Sequence, residues 1–220
     1  MKRNILVLVS ILLLVSGTII IMAQQQNDNG RIRQEAANAG LKSLVELADE
    51  ETVKMAGISL DKLRAARLGN PLSLQYINSR EVVKASGFGA FAQYLMPNTE
   101  YYYPVESDGV IIASVEVIQN KDGRWVPGQL GGFKTAQGVN GIINQVIKND
   151  TAIGKDGLRL YHSGAHGVLL IGFEKGGQQY LTPVTSRPDV NLRAGQVFTE
   201  QEVLERLRDI YKNVDMDLPD

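Results

Sequence analysis

The pattern of hydrophobic and polar positions changes several times along this chain, and each pattern predicts its own kind of structure. Ile5 to Ala23 is apolar except at Ser10, Ser16, Gly17 and Thr18, and Lys2 and Arg3 precede it. Residues 24–30 are then polar throughout, which predicts a tether. From Arg31 to Gly69 apolar residues recur at helical spacing, with Ile32, Ala36, Ala39, Leu41, Leu44, Val45 and Leu47 on one side. Breaks near Asp49 and Gly57 divide this stretch into two or three helices. Ser59 is placed to cap a segment from Leu60 to Leu68, and Gly69 and Pro71 stop it.

Beyond Pro71 the period falls to two. Leu72, Leu74 and Tyr76 predict one strand, and Tyr101 to Val105 and Val110 to Val117 predict two more, joined by an Asp108-Gly109 hairpin turn. A second turn at Lys121, Asp122 and Gly123 leads into Arg124 to Val126, so three adjacent strands form a meander. Helical spacing returns between Thr135 and Asn149 at Val139, Ile142, Ile143, Val146 and Ile147, weakened by Gly138 and Gly141. Leu158 to His162, Val168 to Phe173 and Gln179 to Val184 are strands again, separated by turn-rich segments at Ser163 to Gly167 and Lys175 to Gly177. Thr199 with Glu202 forms a capping box ahead of Val203, Leu204, Leu207 and Ile210, which predicts a C-terminal helix ending near Asn213. The fold class is therefore α+β: an N-terminal helical segment, then a mainly antiparallel sheet with a central and a C-terminal helix. The expected organisation is an export segment at 1–23, a tether at 24–30, a helical segment at 31–69, an α+β domain at 70–214 and a loose acidic tail at 215–220.

One internal similarity bears on the sheet. Tyr103, five residues, then Gly109-Val110-Ile111-Ile112 matches Tyr161, five residues, then Gly167-Val168-Leu169-Leu170. Two related strand sets would account for it, and so would two ordinary hairpins that reuse glycine at turns and branched residues in strands.

Composition narrows the function classes. The basic residues followed by an apolar run form an export signal, with the N-terminus in the cytoplasm. Ala23 offers a small residue before a cleavage point, which favours removal, while the length of the run approaches that of a spanning segment and keeps an uncleaved anchor open. A cleaved form is periplasmic or secreted. An uncleaved one is anchored in the inner membrane, its domain outside the cytoplasm and its membrane contact confined to residues 5–23. With no cysteine there is no disulfide framework, thiolate metal site or N-terminal lipid attachment. Loss of Lys2 and Arg3 leaves 21 basic against 24 acidic residues, which gives no electrostatic reason to expect nucleic acid.

Candidate chemistry is sparse. His162 and His166, the two histidines, fall in one Gly-rich turn, where they form a metal or hydrolase candidate with a carboxylate such as Glu174 as a further ligand. Ser163 beside His166 offers a nucleophile and base. The competing reading makes all three ordinary turn residues, and no G-x-S-x-G elbow is present. Gly128 to Gly132 sits where a phosphate-cradling loop would sit but lacks the lysine and hydroxyl of a P-loop, so it reads as a tight crossover. No motif calls for a cofactor. Tyr101, Tyr102 and Tyr103 alternate across a strand and, with Trp125 and Tyr161, form a candidate aromatic face for a protein, peptide or envelope glycan; the alternative is that they complete the core.

In element order alone the chain is similar to small exported bacterial domains of cystatin-like or propeptide-like type. That likeness carries no functional residue, and it points toward binding more than catalysis. The leading expectation is an exported non-catalytic α+β protein that binds a protein, peptide or envelope component. The alternatives are an exported hydrolase or metal-dependent enzyme built on the His162/His166 loop and a single-span anchored accessory subunit.

Overall fold

Alternation along the strands and helical stripes around them account for the architecture seen in a computed structural model, which describes residues 28–97, 100–164 and 167–212. The export segment, His166, Asn213 and the acidic tail lie outside the described residues. The chain is α+β. Helix α1 (28–47) is followed by the short helices α2 (Glu50–Met55) and α3 (Leu60–Arg64). These lead into β1 (Arg67–Leu68), β2 (Leu72–Tyr76), α4 (Ser79–Lys84), β3 (Glu100–Ser107), β4 (Val110–Gln119) and β5 (Trp125–Gly131). The central helix α5 (Phe133–Asn149) comes next, and then β6 (Arg159–Ser163), β7 (Val168–Lys175), β8 (Gln178–Pro183), β9 (Phe198–Thr199) and α6 (Glu200–Lys212).

All nine strands join one sheet in the order β5-β4-β3-β2-β6-β7-β8-β9, with β1 paired to β3. Every pairing is antiparallel except β2 with β6, where Leu74 lies beside Leu160 and Tyr76 beside His162. Two antiparallel halves thus meet at one parallel seam. That seam needs a long crossover, and the chain between its strands supplies it.

The pleat sorts side chains to two faces. Leu72 pairs with Tyr102 and Leu74 with Leu160, so all four share the face on which α5 lays Ala136, Val139, Ile142, Ile143 and Val146. On the opposite face α1 to α3 cover β3 and β4 around Tyr103, while α4, α6 and the 3-10 turn Phe91–Tyr94 cover β6 to β8 around Tyr161.

Local chemistry places several boundaries. Asp49, Ser59 and Asn78 cap α2, α3 and α4 by accepting hydrogen bonds from the amides of Thr52, Lys62 and Glu81. At α6 the capping box is formed in both directions: the Thr199 amide donates to Glu202 Oε2 at 2.8 Å, and the Glu202 amide donates to Thr199 Oγ1 at 3.3 Å. Four details differ from the sequence pattern, the first being that Gly128 to Gly131 belong to β5 and not to a crossover, with Leu130 and Gly131 paired to Val115 and Ser114 of β4. Asp28 to Gly30 belong to α1, although polar. The segment begun by Ser59 ends at Arg64, and Arg67–Leu68 turns extended to pair with β3. The buried stripe of α1 runs through Ala36, Ala37 and Leu44 with Gly40, leaving Ile32 and Leu47 exposed, because Gly40 is where the helix touches the sheet.

The two similar sequence stretches form hairpins on the same sheet with their tyrosines on the same face, but their registers differ. Tyr103 faces Val115, six residues past Gly109, whereas Tyr161 faces Leu170, three past Gly167. Equal spacing in sequence does not become equal pairing, because the β3–β4 turn takes two residues and the β6–β7 turn four, and the β3–β4 register shifts by one more at Val105/Glu106.

Candidate functional site

The sheet face under α5 is only partly covered. Alternation places Leu74 and Tyr76 of β2, Glu100 and Tyr102 of β3, Ser114 and Glu116 of β4, His162 of β6 and Leu169 of β7 on this face, across the parallel seam. The helix begins at Phe133 and runs away from this region. What remains is a cleft of about 260 Å³ with Leu74, Tyr76, Tyr102, Ser114, Glu116, His162 and Leu169 among its lining residues. Gln129 of β5, Gly132 and Thr135 at the start of α5, and Gly167, Val184 and Thr185 complete its wall.

Gly131 and Gly132 make this arrangement possible. Both have positive φ, 94° and 50°, which lets the chain leave β5 and fold at once over the sheet. A Cβ on Gly132 would stand 3.0 Å from Ser114 Oγ, so the turn sits directly on β4. The first turn of α5 has no side-chain cap and no acidic residue. Gly132 and Thr135 line the cleft, so this helix end, with the partial positive charge of an N-terminus, borders it.

The polar groups around the cleft are unevenly satisfied. Tyr76 donates its hydroxyl hydrogen to Glu100 Oε2 at 2.6 Å, and burial together with that carboxylate raises the phenol above its ordinary value. Glu116 has its carboxyl pushed up to about 7, chiefly by burial and further by the negative charge of Glu100. No cation pairs with Glu116 among the described residues. Tyr102 is 2% exposed, and its hydroxyl forms no hydrogen bond of ordinary geometry. Burial drives that phenol upward, and the neighbouring Ser114 hydroxyl partly offsets this while donating to the Gly131 carbonyl at 3.4 Å. His162 packs edge-on against Tyr76 with ring centroids 5.4 Å apart, and burial lowers its pKa, which keeps the imidazole neutral at pH 7 against the opposing pull of Glu100.

Of the described residues singled out by sequence, His162, Tyr102, Gln129 and Gly132 line this cleft, and Ser163, Glu174, Tyr101, Tyr103, Trp125 and Tyr161 do not. Ser163 follows His162 on β6, so it points to the opposite face, where it is fully buried. Glu174 is exposed near the far end of β7, five residues beyond Leu169, the strand partner of His162. Among the described residues no group of three His, Asp or Glu side chains is placed to hold a metal ion. The five aromatics do not share one surface. Tyr103 and Tyr161 are each 1% exposed in separate cores, and Tyr101 and Trp125 form an edge-on pair at 5.6 Å on the face opposite Tyr102. Arg33 of α1 roofs that pair, its guanidinium 3.9 Å from the Tyr101 ring centre and 5.4 Å from that of Trp125.

Sequence reasoning missed Tyr76, Glu100, Ser114 and Glu116. A signal for the last two exists, since Ser114 and Glu116 interrupt the otherwise apolar run from Val110 to Ile118 at positions two apart. Two polar residues at period two within a buried strand mark a stretch of face that no apolar layer covers. Comparison with protein-family models, with curated proteins and with solved structures finds no match to this chain.

Proposed function

We propose that this chain is an exported, non-catalytic binding protein for a protein, peptide or other envelope component, and that it takes a portion of that partner into the cleft beside α5. The observation that carries the reading is the set of unmet polar groups around one cavity: the buried Tyr102 hydroxyl, the unpaired Glu116 carboxyl and the uncapped start of α5. Buried polar groups are ordinarily matched within the fold, so a cluster left unmatched at an open cleft suits a ligand that completes it. Export rests on the Lys2-Arg3 start and the apolar run to Ala23.

The test is saturable binding by the protein isolated from the envelope fraction, measured by calorimetry against short peptides, free amino acids and glycan fragments. Tyr102→Phe and Glu116→Gln are expected to weaken that binding with folding unchanged. Binding untouched by both substitutions would remove the cleft from the proposal. Intact mass of the same material addresses export: a chain beginning at Gln24 is expected, and a retained first segment would favour the anchored accessory subunit.

A catalytic reading has one specific support, the neutral His162 imidazole within the cleft beside the Tyr76–Glu100 pair. Turnover of any bound ligand, abolished by His162→Ala, would favour it over simple binding.

A further inference from the structure

We propose that the ligand of the cleft is a small zwitterion of the α-amino-acid class, its carboxylate at the amino end of α5 and its ammonium group against Glu116. The inference rests on the binding reading above and adds the chemistry of the ligand.

Two poles of opposite sign border the cleft. The positive pole is the start of a 17-residue helix whose first-turn amides have no side-chain cap and no acidic neighbour. Backbone N–H groups at such an end, with the helix dipole behind them, accept a carboxylate readily. The Ser114 hydroxyl lies directly beneath Gly132 and can turn from the Gly131 carbonyl to the same anion. The negative pole is Glu116, two residues farther along β4 on the same face, with Glu100 reinforcing its field. Strand geometry separates Ser114 and Glu116 by about 7 Å. An α-amino acid fills that span with one charge-assisted hydrogen bond at either end.

An independent feature belongs to the same cleft. Tyr102, the strand partner of Glu116, has a buried hydroxyl that makes no hydrogen bond of ordinary geometry, with the Ser114 hydroxyl as its polar neighbour, and the residue lines the cleft. Such an orphan costs the folded state stability, and a ligand carboxylate or amine that meets it recovers part of that cost.

Other ligand classes match less of this pattern. Among the described residues no lysine or arginine lines the cleft, so a phosphate or other polyanion would meet the Glu116 carboxylate, with Glu100 behind it, and only amide dipoles in compensation. A simple amine leaves the helix end unused. A neutral sugar leaves the Glu116 charge without a partner. The volume of about 260 Å³ accommodates an amino acid with a small or medium side chain.

The experiment is isothermal titration of the envelope-isolated protein with the free α-amino acids, their methyl esters, which lack the carboxylate charge, and their N-acetyl derivatives, which lack the ammonium. Capped tetrapeptides and N-acetylglucosamine oligomers are titrated in parallel. At least one free amino acid is expected to bind saturably, with both blocked forms and Glu116→Gln weakening it tenfold or more and Tyr102→Phe weakening it several-fold; circular dichroism confirms that each variant is folded. Blocked forms that bind as tightly as the free amino acid, or binding indifferent to Glu116→Gln, would overturn the proposal. So would the absence of amino-acid binding at millimolar concentration. If a capped peptide or glycan then binds and Glu116→Gln abolishes it, the zwitterion is wrong and the binding reading stands; if nothing in the panel binds, both fall.

Discussion

Glu116 sits in an environment that a carboxylate does not prefer. A carboxyl with an ordinary value of 4.5 is held at about 7 by burial and by Glu100, so the folded chain binds a proton there more tightly than the unfolded chain does. Between pH 4.5 and about 7 stability therefore falls as pH rises, and above that window the folded state carries the full cost of a buried charge. Partial exposure reduces that cost to about 1–2 kcal/mol. Glu116→Gln is expected to be more stable than the parent by that amount at pH 8 and nearly equal to it at pH 4.5. Urea unfolding at the two pH values measures this, and equal stabilities at pH 8 would mean that water already solvates the carboxylate. Groups perturbed in this way by burial and a like charge cluster at functional sites.

At the scale of the element, α1 shows how tertiary contact overrides helical preference. Its contact point with the sheet is Gly40, where an added Cβ would come within 2.6 Å of Val115 Cγ1, 3.2 Å of Leu130 Cδ2 and 3.3 Å of Pro127 Cβ. Alanine in a helix interior gains about 1 kcal/mol over glycine, but forcing a methyl group into a packed interface costs about 1–3 kcal/mol. The packing cost is the larger here, because Val115 is fully buried and all three neighbours belong to the sheet. Gly40→Ala is expected to lower stability by about 1 kcal/mol net, read from the urea midpoint at unchanged slope. Higher stability would show that α1 shifts freely on the sheet. The same contact explains why Ile32 and Leu47 face solvent, since the helix turns about Gly40 to bring Arg33 over Tyr101 and Trp125.

For the whole molecule, the parallel β2–β6 seam joins two antiparallel halves, and helices from both ends of the chain pack behind it. Backbone hydrogen bonds at this seam open only when both halves loosen, whereas β1 and β9 are two-residue strands at the margins. Native-state hydrogen exchange is expected to be slowest in β2, β3 and β6 and fastest in β1 and β9. Equal protection throughout would mean that the halves do not open separately. The sequence by itself determined what depends on near neighbours. Asp108-Gly109 makes the β3–β4 turn, Val139, Ile142, Ile143 and Val146 form the buried stripe of α5, and Thr199 with Glu202 starts α6. These follow from backbone geometry and side-chain spacing within a few residues. The tertiary structure alone decided the parallel pairing of Leu74 with Leu160, the separation of Tyr102 from Tyr103 and Tyr161, and the meeting of Glu116, Tyr102 and His162 with the start of α5 at one cleft. Period two fixes which residues share a face of one strand, but which strand lies beside it depends on contacts across the whole chain, and the cleft exists only where those contacts leave the face uncovered.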